Sequence, residues 1–140
     1  MLRGLAAEVL PQGVSGAELA RIVDGWEAVL ALETDAEAAI AAHATERGAW
    51  LFTLGARLLG DEHHALEDAG AGWALAGLDQ PCARTLAAAR LTSLTDSRWP
   101  RALRPLSAMA LLARDDLRPD AAPGGARRAG RLILHWIGGR

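Results

Sequence analysis

The stretch Asp68–Pro81, DAGAGWALAGLDQP, is almost entirely small and apolar between its two polar ends. Its Ala and Leu content favours helix. Gly70 and Gly72 oppose it, because glycine costs about 1 kcal/mol against alanine inside a helix. On a helix Ala69, Gly72 and Ala76 share one side, with Gly70, Ala74 and Gly77 close by. A helix that accepts such residues brings another backbone or a bulky group close to its axis. Two readings are open: tight helix–helix packing around Trp73, or one wall of an apolar cavity. The helix is expected over about Glu62–Leu78.

The flanking sequence extends the helical reading in both directions. There is no Tyr, one Phe (Phe52), and no alternating run rich in Val, Ile and Thr, so strand signals are nearly absent. A short helix is expected at about Leu2–Leu10, ended by Pro11-Gln12-Gly13. Ser15 with Glu18 three residues later forms a capping box that opens a second helix. Leu19, Ile22, Val23, Trp26, Val29 and Leu30 line one apolar stripe along it. Thr34 or Asp35 opens a third helix, which runs to Leu59 and breaks at Gly60-Asp61. Asp79 with Pro81 starts a fifth, to about Leu94, and a sixth covers about Pro100–Asp116. A last helix spans about Ala126–Ile137. Short connections make neighbours antiparallel. The expected fold is an all-α antiparallel bundle, one domain over residues 1–140.

Composition narrows the function classes. The chain is 51% hydrophobic and 23% charged, which places it with globular proteins rather than disordered ones. Its net charge of −2 gives no global field for nucleic acid, and no phosphate loop or aromatic platform appears. All fifteen basic residues are Arg, so Schiff-base lysine chemistry is excluded. The single Cys82 forms no internal disulfide, is expected to be buried, and suits a reducing, cytoplasmic setting. The stretch MLRGLAAEVLPQG lacks a long apolar core and carries Glu8, so no secretory signal is expected in it, and no apolar run approaches the roughly 18 residues of a membrane span.

Several polar groups have both a functional and a structural reading. Asp61, His64 and Asp68 fall at a spacing that metal sites use, and equally at a helix N-terminus, where the dipole favours anions. Arg114-Asp115-Asp116 reads as a solvent-facing helix end. Arg98, Arg101 and Arg104 recur beside Trp99, as a surface stripe or a clamp for a diphosphate or anionic lipid. Arg127, Arg128, Arg131 and Arg140 surround Leu132, Ile133, Trp136 and Ile137, a pattern that fits either core packing or peripheral contact of residues 127–140 with a membrane's inner face.

Four stretches together resemble the squalene/phytoene synthase family, of the all-α isoprenoid synthase fold: VSGAELARIVDGWEAVL (Val14–Leu30), IAAHATERGAWLFTLGARLLG (Ile40–Gly60), AGAGWALAGL (Ala69–Leu78) and WPRALRPLSAMALLARDDL (Trp99–Leu117). The resemblance covers the C-terminal part of a family domain about twice as long. It implies prenyl transfer, with Mg²⁺ held by two aspartate-rich motifs on facing helices. The first motif would lie upstream of this chain, and at the second AGLDQP offers Asp79 alone. Glu27 stands near a position where the family has Asp, so Glu27 and Asp79 are the residual metal candidates.

The resemblance therefore implies a truncated or divergent relative without metal-dependent catalysis. It would bind prenyl chains, prenyl diphosphates or another apolar lipid through Gly72, Trp73, Ala76, Arg98 and Arg101. The alternative is a non-catalytic interaction factor of the same family, of the type that assembles respiratory complexes, acting near a membrane. Trp26, Trp50, Trp73, Trp99 and Trp136, in a bundle of half the family's length, further imply exposed apolar surface and a homodimer through the helices around Trp26 and Trp50.

Overall fold

A computed structural model describes residues 13–30, 36–94, 98–118, 129–130 and 132–134. These residues form an all-α assembly of six packed helices. They are α1 (Gly16–Leu30), α2 (Ala36–Ala42), α3 (Trp50–Leu59), α4 (Leu66–Ala76), α5 (Pro81–Thr92) and α6 (Arg104–Asp116). A π-helical segment, His43–Ala49, joins α2 to α3, and a 3₁₀ turn, Arg101–Leu103, leads into α6. The helix expected at Leu2–Leu10 lies outside the described residues. So does most of the one expected at Ala126–Ile137, of which residues 129–130 and 132–134 are helical.

Local chemistry sets the boundaries. The capping box forms as the sequence predicts. The Ser15 N–H donates to Glu18 Oε2 at 2.7 Å, and the Glu18 N–H donates to Ser15 Oγ at 3.2 Å. Two orphan donors of the first turn are thus satisfied reciprocally. Gly60 ends α3 at φ 71°, the left-handed cap that glycine adopts without strain. Pro81 lies in the first turn of α5, where its missing N–H costs nothing. The expected start of α4 at Glu62 moves to Leu66. The His63 Nδ1 accepts from the Ala65 N–H at 3.2 Å and holds this stretch as a turn before the helix.

The third helix of the sequence reading is interrupted by the π turn. There Trp50 N–H bonds to the Thr45 carbonyl, five residues back instead of four. The extra residue per turn shifts the face that the later residues present.

Helix α4 is the inner element. Leu66 and Ala69 enter a cluster with Phe52, Leu91, Trp99 and Leu103. Ala71 and Leu75 enter a second cluster with Ile40, Ala44, Leu78, Ala83 and Ala87. A helix buried on several sides needs no single apolar stripe. Its glycines mark two contacts. A Cβ on Gly70 would collide with the Gly48 carbonyl of the π segment, and one on Gly48 with the Gly70 carbonyl. A Cβ on Gly72 would lie 2.7 Å from Leu91 Cγ of α5.

Three expectations are corrected. Val23, placed on the apolar stripe of α1, is 41% exposed, because α1 turns Gly25 inward against the Arg47 backbone, while Trp26, expected to leave apolar surface uncovered, is 49% exposed. Cys82 is exposed at the start of α5 instead of buried. Asp115 is buried at the end of α6 instead of facing solvent.

Candidate ligand groove

The Gly48–Gly70 crossing fixes the π segment directly on α4, and a groove of about 810 Å³ runs along this junction. Ile40, Ala41, Ala44 and Ala49 from the long interrupted helix form one side, continued by Trp50 and Thr53 of α3. Ala71 and Leu75 of α4 form the floor, and Cys82 and Leu86 of α5 the opposite side. The spacing of Ile40 with Ala44 and of Ala71 with Leu75 is four residues, so each pair stacks on one helical face. Leu86 is half-exposed and overhangs the opening.

Charges stand at the rim. Arg21 of α1 and Arg90 of α5 are the two rim cations, Glu37 and Glu67 the two rim carboxylates. Both cations are engaged. Arg21 Nε pairs with Glu46 at 2.6 Å while its guanidinium stacks on Trp50 at 4.1 Å. Arg90 pairs with Asp68 at 2.6 Å. The Arg21 contact holds the Glu46 carboxyl below its ordinary range. The interior is mainly apolar, both rim cations are paired with Glu46 and Asp68, and the rim carries Glu37 and Glu67 besides.

Behind the groove, on the other face of the π segment, lies a second polar cluster. His43 is fully buried, its Nδ1 donating to the Gly25 carbonyl at 2.8 Å. Its Nε2 accepts from Arg47 Nη1 at 3.1 Å, which fixes the neutral tautomer. The Arg47 guanidinium lies 3.4 Å from the Trp26 ring centre and 5.0 Å from that of Trp73. Burial, and next the Arg47 charge, hold the His43 pKa below its ordinary value, although the Gly25 and Ala74 carbonyls act in the opposite direction.

The residues singled out from sequence scatter over this frame. Gly72 is buried against Leu91 and lines neither this groove nor the smaller pocket beside α6. Trp73 and Ala76 share a smaller pocket of about 220 Å³ with Met109 and Leu112 of α6. Arg98 and Arg101 are exposed before α6 and reach neither pocket. Glu27 is exposed on α1, and Asp79 is exposed in the turn between α4 and α5. Among the described residues no three His, Cys, Asp or Glu side chains come together as a metal site. In particular Asp68 of the Asp61–His64–Asp68 set is drawn to Arg90, and His64 stacks on His63, which stacks on Trp99.

Sequence reasoning passes over the groove residues, because Ala and Leu at helical spacing read as core. The usable signal is that α4 carries two small-residue faces, one with Gly70 and one with Ala71. No helix among the described residues is long and apolar enough to cross a membrane. Comparison with protein families, curated proteins and solved structures gives no match to this chain.

Proposed function

We propose that this protein binds an elongated apolar molecule, a prenyl or acyl chain, in the groove between the long interrupted helix and α4–α5, and performs no metal-dependent chemistry on it. The observation that carries the reading is the groove itself. Its volume of about 810 Å³ falls within the roughly 300–1,000 Å³ of small-molecule sites. Its walls are mainly Ile, Leu, Ala and Trp, with Thr45, Thr53 and Cys82 among them and the charged groups Arg21, Glu37, Glu67 and Arg90.

The rim chemistry selects among the ligands that the family resemblance implies. A diphosphate needs unpaired cations or bound metal. Arg21 and Arg90 already hold carboxylates, and Glu27 and Asp79 gather no further acids. An uncharged head group, such as that of a prenyl alcohol, therefore fits better than a diphosphate. In this reading the chain keeps the small-residue helix packing of an isoprenoid-synthase-like bundle and lacks its acids.

The test is a titration with the uncharged fluorescent probe N-phenyl-1-naphthylamine, followed by competition. Farnesol should displace it at lower concentration than farnesyl diphosphate, and Mg²⁺ should cause no release of pyrophosphate from the latter. Leu86→Glu, which places a charge at the half-exposed overhang, should weaken the probe by about tenfold, or 1.4 kcal/mol, with an unchanged melting curve. Equal binding by both proteins would remove the groove as the site.

A second reading, the interaction or assembly factor, draws on the exposed Val23 and Trp26 of α1. It includes the homodimer through the helices around Trp26 and Trp50. Light scattering at micromolar concentration tests it, and a monomer mass there would overturn the dimer.

A further inference from the structure

We propose that α1 is an acid-released flap at the rim of this groove, latched at neutral pH by an uncharged His43 wedged between Gly25 and Arg47. The inference rests on the groove reading above, since α1 enters the groove through Arg21. It begins from how α1 is attached. Val23 and Trp26 are 41% and 49% exposed while Leu19 and Ile22 are half-buried, so apolar burial holds it only in part. Polar links across the interface supply much of the rest. Arg21 pairs with Glu46, and Glu18 with Arg57 at 2.8 Å. Trp50 Nε1 donates to the Glu18 carbonyl at 2.9 Å, and His43 Nδ1 donates to the Gly25 carbonyl.

His43 is the group in this set that changes charge between about pH 5 and 8. Three elements surround it. From α1 come the Gly25 carbonyl and the Trp26 ring, edge-on at 5.9 Å between centroids. From α4 comes the Ala74 carbonyl. From its own segment comes Arg47, the one charged side chain that acts on the ring. The ring uses its Nε2 lone pair to accept from Arg47. A proton there removes that acceptor and sets imidazolium against guanidinium in a buried space, a combination that costs far more than either charge exposed.

Two movements relieve it. Arg47 can leave the ring, which gives up its stacking on Trp26, or His43 can reach water, which requires α1 to lift. Both separate α1 from the π segment. Burial already disfavours the charged ring, so the latch is closed at neutral pH and opens as acid forces the proton on. Lifting α1 carries away Arg21 and with it the Glu46 and Trp50 contacts, which opens the rim of the groove on that side.

The experiment follows two signals on the full chain between about pH 7.5 and 5. One is tryptophan emission without ligand, with far-ultraviolet circular dichroism as the check on helix content. The other is N-phenyl-1-naphthylamine binding. The expected result is a red shift of emission at constant helicity, with probe affinity falling in parallel, by up to about tenfold per pH unit for one proton.

His43→Gln should abolish both changes, because its amide can donate to Gly25 and accept from Arg47 without titrating. Arg47→Gln should move the midpoint to lower pH or abolish it if repulsion by the guanidinium is absent. His63→Gln, which alters the stack on Trp99, should leave the transition in place. A transition that persists in His43→Gln, or no transition in the parent chain, overturns the latch. A transition that depends on His43 in a protein that binds no probe at neutral pH leaves the latch standing and overturns the groove reading.

Discussion

Gly70→Ala should be the most damaging single-methyl change in the described structure. The added Cβ would meet the Gly48 carbonyl oxygen, lie 2.7 Å from its carbon and 3.0 Å from Ala49 Cα. These are backbone atoms of a packed helix, so no side chain can rotate away. The crossing must open by roughly 1 Å, a gap that forfeits about a quarter to a half of the dispersion attraction of each atom pair across it. Overpacking of this kind costs about 1–3 kcal/mol. The gain in helix propensity from replacing glycine offsets about 1 kcal/mol. The upper half of the overpacking range applies, because the obstacle is rigid, and the net loss is about 1–2 kcal/mol. Urea denaturation should show a lowered midpoint with an unchanged slope, the sign of lost stability without a change in exposed area. Gly16→Ala is the matched control. Its Cβ meets nothing within 4 Å, so the change should be neutral or slightly stabilising. A Gly70→Ala midpoint equal to or above that of the control would show that α4 and the π segment do not touch through their backbones, and the groove geometry built on that contact would fall with it.

Ser15→Ala should cost about 1 kcal/mol by removing one half of the capping box at the start of α1, read from the same denaturation curves. His43 and His63 both have pKa values held below the ordinary histidine range, chiefly by burial. The unfolded chain therefore binds more protons, and global stability should be complete above about pH 6.5 and fall as pH drops below it, by up to about 1.4 kcal/mol per pH unit for the fully buried His43; a flat profile from pH 7.5 to 5 would contradict the burial of both rings. Cys82, exposed on the groove wall, should react with a maleimide in the folded protein and be protected by farnesol; labelling that farnesol does not slow would place the ligand elsewhere. Added Mg²⁺ should leave the melting midpoint unchanged, because Glu27 and Asp79 stand exposed on separate elements.

The helical class and most boundaries were legible because they depend on near neighbours in sequence. The Ser15–Glu18 box, the Gly60 cap and Pro81 each act within four residues, and each appears where its chemistry predicts. The π turn was not legible. It preserves the spacing of His43 and Arg47 while rotating the residues C-terminal to it, and no residue type marks it. The burial of α1 escapes the pattern for a related reason. Val23 and Trp26 fit an apolar stripe, yet the partner surface holds Arg47, and the closest approach there is made by Gly25. Which face of an amphipathic helix is covered depends on the residue it meets, and that residue belongs to a later segment of the chain. The groove was hidden by the same ambiguity. Ala71 and Leu75 satisfy the pattern of a core face, and only the shape left beside the Gly48–Gly70 contact separates a filled interior from an open channel.

The floor of the groove and its α1 rim are therefore secured by different physics. The floor rests on interpenetrating backbones and the buried clusters around Phe52 and Leu75, contacts that neither salt nor moderate acid weakens. The α1 side has one close backbone contact, Gly25 on Arg47, and half-buried Leu19 and Ile22, and otherwise rests on partly exposed ion pairs, a neutral histidine and a guanidinium stacked on indoles. Exposed ion pairs contribute little net stability and are screened by salt, so α1 belongs to the least stable end of the molecule's range of local openings. A rim that opens locally over a floor that does not is an arrangement that suits entry of a long apolar chain, whose length would otherwise have to thread through a closed bundle. The division predicts its own order of events. Raising salt at neutral pH should loosen α1 without loosening α4, so amide exchange should quicken in Gly16–Leu30 first, while Leu66–Ala76 exchanges only with global unfolding.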